Sequence, residues 1–341
     1  MSSQPEPVAV APQPEGRRNW TEVAFQLGAL LGLILLIAIF ALSSPSFLTT
    51  GNLAGIARQT SVNALLALGM LVVILTGGID LSVGAVLALA MVVLAMVITK
   101  AGLDQSIGLL AALLVGAALG VGNGLLLTRL HLPHPFISTL GMMNIARGAA
   151  LVITGGASIS ALGGGIVKFI GNDEIKLGSG AAAVSIPIML FVVVLAYVGF
   201  YFFLNRTVVG RHIYATGGNP EAARLSGVPV DRILVLVYTI SGLMAGLAAV
   251  VLAGRTDSGY PNAGLGFELD AISACIIGGT SFFGGVGTVS GTLIGALIMG
   301  VLRNGLNIMS VDTNWQTVVI GAVIIAAVYV DVLRRRAGQS R

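Results

Sequence analysis

The sequence predicts an all-α polytopic membrane protein, and three observations predict it. The first is composition: of 341 residues, 56% are hydrophobic and 9% charged, and mean hydropathy is +0.97. Soluble domains carry about a quarter charged residues. A water-soluble core of this length cannot absorb that apolar excess and still show water a polar surface, whereas a bilayer removes the need. The second is that the apolar residues fall into ten segments of near-crossing length. The third is glycine, at 47 residues. In a soluble helix Gly costs about 1 kcal/mol relative to Ala, but between membrane helices it permits close approach.

Taken in order, residues 1–19 are rich in Pro, Glu, Gln and Ala, lack periodicity and read as a disordered cytoplasmic tail ending in Arg17 and Arg18. Residues 24–42 are almost continuously apolar, long enough for one crossing of about 30 Å. The following Ser43-Ser44-Pro45-Ser46 is a poor cleavage site, so this segment reads as an uncleaved anchor. Further apolar segments lie near 60–76, 81–99, 107–127, 136–153, 185–204, 233–253, 269–283, 288–308 and 315–333. Several are short or glycine-interrupted, so the expectation is about ten crossings, within a range of eight to ten. They make up a membrane domain over 20–335, followed by a cytoplasmic tail at 336–341.

Charge orients the chain. With the N-terminus inside and ten crossings, cytoplasmic segments hold eleven basic residues and outer segments five, Arg58, Lys100, Lys168, Lys176 and Arg255. That is the positive-inside bias, and it puts both termini in the cytoplasm. Residues 154–183, Gly-rich and of mixed charge, then lie outside. Residues 205–232, with Arg206, Arg211, Arg224 and Arg232, lie inside. Both are too long for simple hairpins and are candidate partner-binding loops. Aromatic residues amount to 6% and there is no long basic run, so nucleic acid is not an expected partner.

Thr76-Gly77-Gly78-Ile79-Asp80-Leu81-Ser82-Val83-Gly84 separates two apolar runs with almost no polar linker. Gly77 and Gly78 can break a helix, and Asp80 can cap the next one by accepting backbone N–H bonds. Two readings stay open: a capped cytoplasmic turn, or a broken helix lining a pathway, where an ionisable residue is a site candidate. Gly278-Gly279-Thr280 through Gly284–Gly291 is similarly placed roughly 200 residues later. Paired glycine-broken segments point to internal repeats, inverted if each half holds five crossings, with simple glycine packing as the alternative.

Asn219-Pro220-Glu221-Ala222-Ala223-Arg224-Leu225-Ser226-Gly227 is a self-specified short helix. Asn219 suits the N-cap, Pro220 the first helical position, Glu221 the positive helix end and Gly227 the C-terminal stop. Asn144 and Arg147 lie inside the 136–153 run, and Arg303 and Asn304 near the end of 288–308. A guanidinium in hydrocarbon is costly, so each arginine needs protein, water or headgroups around it. Structural pairing and substrate contact both meet that need. The candidate pathway set is Gly77, Gly78, Asp80, Ser82, Asn144, Arg147, Gly278, Gly279 and Asn304.

Other chemistry is not visible. The lone Cys275 sits in an apolar run and reads as a small buried hydrophobe. None of the three lysines follows a glycine, so there is no G-x-x-x-x-G-K-[ST] nucleotide loop. No catalytic motif or metal cluster appears, so the chain is not expected to be an enzyme, to hold a cofactor or to hydrolyse ATP itself.

Glu221-Ala222-Ala223, followed after three residues by Gly227, resembles the EAA–x3–G loop of ABC importer permeases. Leu75–Gly84 resembles the LTGGIDLSVG signature of ribose/xylose-type permeases, and Ile277–Gly291 with Arg303-Asn304-Gly305-Leu306 is also similar to that family. The resemblance covers residues 24–335. It implies a bacterial inner-membrane permease carrying a monosaccharide of ribose, xylose or galactose type. Implied partners are membrane lipid, a cytosolic ATPase that binds ATP and Mg, a periplasmic sugar-binding protein and a second permease copy, identical or paralogous. The 219–227 helix would dock into the ATPase and the 154–183 loop would help receive the binding protein. Branched-chain amino-acid permeases are the nearest confusable group; they carry a Gly-Glu-centred segment where this chain has Gly77-Gly78-Ile79-Asp80. Nucleoside, inositol and signalling-molecule permeases are further alternatives. An autonomous secondary transporter would need ion ligands in the spans, where Asp80 and Asp270 are among the few available.

Overall fold

The computed structural model describes residues 20–130, 132–178 and 184–339; the expected tail at 1–19 lies outside them. Ten helices coincide with the ten apolar segments: α1 (Trp20–Ser43), α2 (Thr50–Leu75), α3 (Val83–Thr99), α4 (Gln105–Arg129), α5 (Pro135–Thr154), α7 (Ile188–Arg206), α10 (Val230–Thr256), α11 (Phe267–Ile277), α12 (Val289–Ile308) and α13 (Thr313–Gln339). The 154–183 loop adds α6 (Ile166–Asn172), and the 205–232 loop folds into α8 (Val208–Gly218) and α9 (Pro220–Leu225). The described chain is thus an all-α membrane fold with two small antiparallel ribbons. Strand β1 (Ile159–Ser160) pairs with β4 (Ser258–Gly259), and β2 (Glu174–Leu177) with β3 (Val184–Pro187).

Among the described residues, seven helices are long and apolar enough to cross a membrane, and two shorter apolar helices cover Leu27–Ser43 and Val83–Thr99. The segment expected to cross at 269–283 does not do so as one helix. Its helical part, α11, has 11 residues, about 16 Å of rise against about 30 Å of hydrocarbon. Gly266 and Gly279, both at positive φ, bracket it.

The core is built on α2, which is buried from Thr60 to Leu75, and on α3 and α10. Helices α4 and α10 meet along a seam of glycines. A Cβ on Gly116 would overlap the Gly242 carbonyl oxygen, one on Gly120 the Tyr238 carbonyl oxygen, and one on Gly242 the Gly116 carbonyl oxygen. Here glycine brings two backbones into contact, as small residues do between membrane helices.

The two ends of the bundle are distinct. Leu75, Gly217, Gly285 and Gly287 gather at one end with the 205–232 loop. At the other end Arg58 pairs with Glu174, Arg255 Nη1 donates to the Arg58 carbonyl at 3.3 Å, and Gln105 Nε2 donates to the Leu162 carbonyl at 2.9 Å.

That polarity corrects the expected equivalence of the two glycine motifs. Gly285 N donates to the Leu75 carbonyl at 2.9 Å, so the 76–82 and 278–288 breaks lie side by side at one end. Equivalent parts of an inverted pair must lie at opposite ends. A further break, residues 257–266, follows α10 at the other end. Asp257, Gly264 and Gly266 take positive φ there. The two broken segments meet where a Cβ on Gly84 would overlap the Gly264 carbonyl oxygen.

Candidate functional site

The 219–227 segment folds as its local chemistry dictates. Asn219 Oδ1 accepts from the backbone N–H of Glu221 and of Ala222, both at 3.0 Å, with Pro220 at the first helical position. Gly227, at φ +85°, ends the helix, its N–H donating to the Arg224 carbonyl at 3.0 Å. Ala223 is buried, while Glu221, Ala222 and Arg224 are exposed. Arg224 pairs with Asp231 at 2.6 Å, tying α9 to the first turn of α10.

Behind this helix lies a cavity of 390 Å³, lined by Thr76, Gly77, Gly78, Pro135, Arg224 and Tyr238 among others. It joins the first break to α9. Gly77 takes φ +78°, the left-handed turn that reverses the chain after α2. Gly78 leaves room for the Tyr238 hydroxyl, which would lie 2.6 Å from a Cβ there and which donates to the Ile79 carbonyl at 3.4 Å.

Asp80 is 1% exposed and Ser82 fully buried. Asp80 does not cap α3 directly; Ser82 occupies that position. Its Oδ1 accepts from the Ser82 N–H at 3.0 Å and the Ser82 hydroxyl at 2.5 Å, and its Oδ2 accepts from the Ser241 hydroxyl at 2.8 Å. Asn123 Nδ2 donates to Ser82 Oγ at 2.9 Å. A carboxylate taken from water needs such donors. The result is a polar rivet joining the break to α4 and α10, and it opens to no cavity among those described.

Arg147 serves the other broken segment. Its Nη1 donates to the carbonyls of Pro261 and Ala263 at 2.6 and 2.7 Å. Irregular backbone among membrane helices needs donors for carbonyls a helix would have satisfied, and one guanidinium supplies two. Structural pairing also accounts for Asn304, whose Nδ2 donates to Asn52 Oδ1 at 2.9 Å with the reciprocal bond at 3.0 Å. Arg303 pairs with Asp270 at 2.7 Å. Gly278 packs on Gly291 so closely that a Cβ on either would overlap the other's carbonyl oxygen, and Gly279 turns the chain at φ +90°.

Of the candidate pathway residues, Asn144 alone presents an exposed side chain. It lies near the midpoint of α5, its Nδ2 donating only to the Leu140 carbonyl, one turn back, at 2.9 Å. Gly141 and Ile145 beside it are exposed as well. Sequence reasoning missed Ser241, Asn123, Tyr238, Asn63 and Gly217. Polar residues in apolar helices were a signal for the first four, but their partners lie far away in the chain. Gly217 carries no signal beyond its type.

The family model described as "Branched-chain amino acid transport system / permease component" matches residues 52–328. The ribose import permease protein of Escherichia coli K12 is 41% identical over 320 residues, covering 93% of this chain and 97% of the relative. That of Bacillus subtilis is 43% identical over 315 residues, covering 92% and 95%. The D-allose transport system permease protein of E. coli K12 is 43% identical over 307 residues, covering 89% and 90%. No solved structure matches the chain. A match over most of the chain, together with seven helices among the described residues long and apolar enough to cross a membrane, makes this a multi-pass membrane protein that belongs to the branched-chain amino acid transport system permease-component family.

Proposed function

We propose that the chain is the membrane-spanning permease subunit of a bacterial ATP-driven importer and carries a monosaccharide across the inner membrane. The observation that carries this reading is the set of relatives named for ribose, allose and fructose, aligned over about nine-tenths of the chain at 38–43% identity. The subunit is a conduit and not an enzyme. ATP and Mg are bound by a separate cytosolic ATPase, and a periplasmic binding protein delivers the sugar to the Arg58–Glu174 end. Both chain termini lie in the cytoplasm.

Helix α9 is the docking element for the ATPase. It is exposed, internally capped and clamped to α10 by Arg224, so it can transmit a push as a rigid body. Two permease copies, identical or paralogous, enclose the sugar path, and the outward face of α5 with Asn144 lines it. An exposed amide at mid-crossing is costly against lipid and useful against a polyol. The buried Asp80 and Ser82 and the half-buried Arg147 and Asn304 support the wall, with Gly77, Gly78, Gly278 and Gly279 as its turns.

The family description supports a second reading, a branched-chain amino acid as cargo. One experiment separates them. The tagged protein is purified from native membranes in mild detergent, its partners are identified by mass spectrometry, and the complex is reconstituted in proteoliposomes. The proposal expects a nucleotide-binding subunit in the eluate and ATP-dependent uptake of labelled ribose, allose, fructose or arabinose. Uptake of leucine alone would overturn the sugar assignment. Uptake without any ATPase partner would overturn the importer reading.

A further inference from the structure

The 205–232 loop meets the membrane helices through backbone. A Cβ on Gly217, in the last turn of α8, would overlap the Leu75 carbonyl oxygen and lie 2.7 Å from the Gly285 amide nitrogen. Gly285 N itself donates to that carbonyl at 2.9 Å. One turn earlier on α8, the Tyr214 hydroxyl donates to the Gly287 carbonyl at 2.9 Å. The end of α8 therefore touches the last residue of α2 and the 278–288 break together. Helix α9 follows after the single residue Asn219, whose N–H donates to the Ala215 carbonyl at 3.1 Å, so α8 and α9 turn as one piece.

We propose that this clasp of Gly217, Leu75 and Gly285 carries movement of α9 into the 76–82 and 278–288 breaks, with Gly217 as its positioning residue. The inference rests on α9 being the docking element for the ATPase. The rival route is the Arg224–Asp231 pair, whose side chains are 60% and 59% exposed; ion pairs that wet hold geometry weakly. Backbone in contact with backbone has no rotamer through which to yield. The surroundings also fit a part with two positions. The Thr216 and Thr280 hydroxyls, one beside Gly217 and one against Gly287, are buried without a hydrogen-bond partner. An arrangement that leaves buried hydroxyls unsatisfied is raised in free energy and leaves room for a second one.

The test uses the whole transporter in proteoliposomes, reading labelled sugar taken up (D-ribose first) against ATP hydrolysed. Gly218 is an internal control, since a Cβ there meets nothing within 4 Å. The expected result is that Gly217→Ala keeps the ATPase bound and hydrolysing while sugar per ATP falls at least tenfold. Tyr214→Phe, which removes only the hydroxyl, lowers the ratio severalfold, and Gly218→Ala leaves it unchanged. Wild-type sugar per ATP in both Gly217→Ala and Tyr214→Phe overturns the proposal. So does a loss of uptake and hydrolysis in equal proportion, which marks a merely structural contact. If Gly217→Ala fails to accumulate, the ratio for Tyr214→Phe decides by the same criterion. Glu221→Arg separates the two layers: no effect of that change on ATPase binding or uptake overturns the docking role of α9, whereas uncoupling by it alone overturns only the clasp.

Discussion

Arg303 of α12 holds Asp270 of α11 at 2.7 Å, and Asn63, near the midpoint of α2, donates to the other oxygen of the same carboxylate at 3.2 Å. Three helices thus share one buried carboxyl group. The pair explains how a half-length helix stays in place. Helix α11 cannot be retained by hydrophobic length alone, so its first turn is pinned by charge.

Breaking one side of that pair leaves a charge without its partner. Arg303→Gln is expected to lower stability toward the lower part of the about 3–5 kcal/mol seen for buried pairs, because Arg303 keeps some contact with solvent. Asp270→Asn combined with Arg303→Gln is expected to recover part of the loss. Unfolding of the purified protein in detergent, followed by tryptophan fluorescence, reads both.

Removing the guanidinium of Arg147 frees two carbonyls of the 257–266 segment. Arg147→Leu is expected to cost about 1–3 kcal/mol for each and to loosen the segment. Maleimide labelling of Ala263→Cys, a fully buried position, is then expected to speed up. Labelling at the unaltered rate in the Arg147→Leu background counts against this role.

The α4–α10 seam is expected to reject a single methyl group. Gly116→Ala should destabilise by about 1–3 kcal/mol through overpacking, whereas Gly141→Ala, where a Cβ meets nothing within 4 Å, should be neutral. Thermal unfolding of the two variants side by side makes the comparison.

Asn144→Leu is expected to leave folding intact, since its amide bonds only to its own helix. Uptake should fall severalfold with the ATPase still active. Unchanged uptake would remove the α5 face from the sugar path.

Losing the cap at Asn219 acts locally. Asn219→Ala is expected to cost about 1 kcal/mol of helix stability and to weaken ATPase retention in a pull-down without changing membrane insertion.

How much of this was legible in the sequence depended on distance along the chain. The 219–227 helix could be read whole, because Asn219, Pro220 and Gly227 act on neighbours within a few residues. The apolar segments placed the helices for the same reason. Arg147 announced a need but not its answer, because backbone carbonyls more than a hundred residues away leave no mark on composition. Asp80 was recognisable as unusual, yet Ser241 and Asn123 were needed to turn a pathway candidate into a rivet. The glycine-rich 278–291 stretch drew the eye as the partner of 76–84. The break at the other end, 257–266, interrupts the chain with Asp257 and isolated glycines, a weaker mark in the sequence than a glycine-rich run.

The seam between α4 and α10 has a mechanical consequence. Two helices that meet through leucines can slip past one another by exchanging rotamers, as gears shift teeth. Helices that meet carbonyl to Cα behave like a key in its keyway: axial travel drives oxygen into carbon at Gly116, Gly120 and Gly242 together. Shear along this line is therefore closed to the molecule, and the opening and shutting that import requires falls to tilting of whole blocks about joints elsewhere in the bundle.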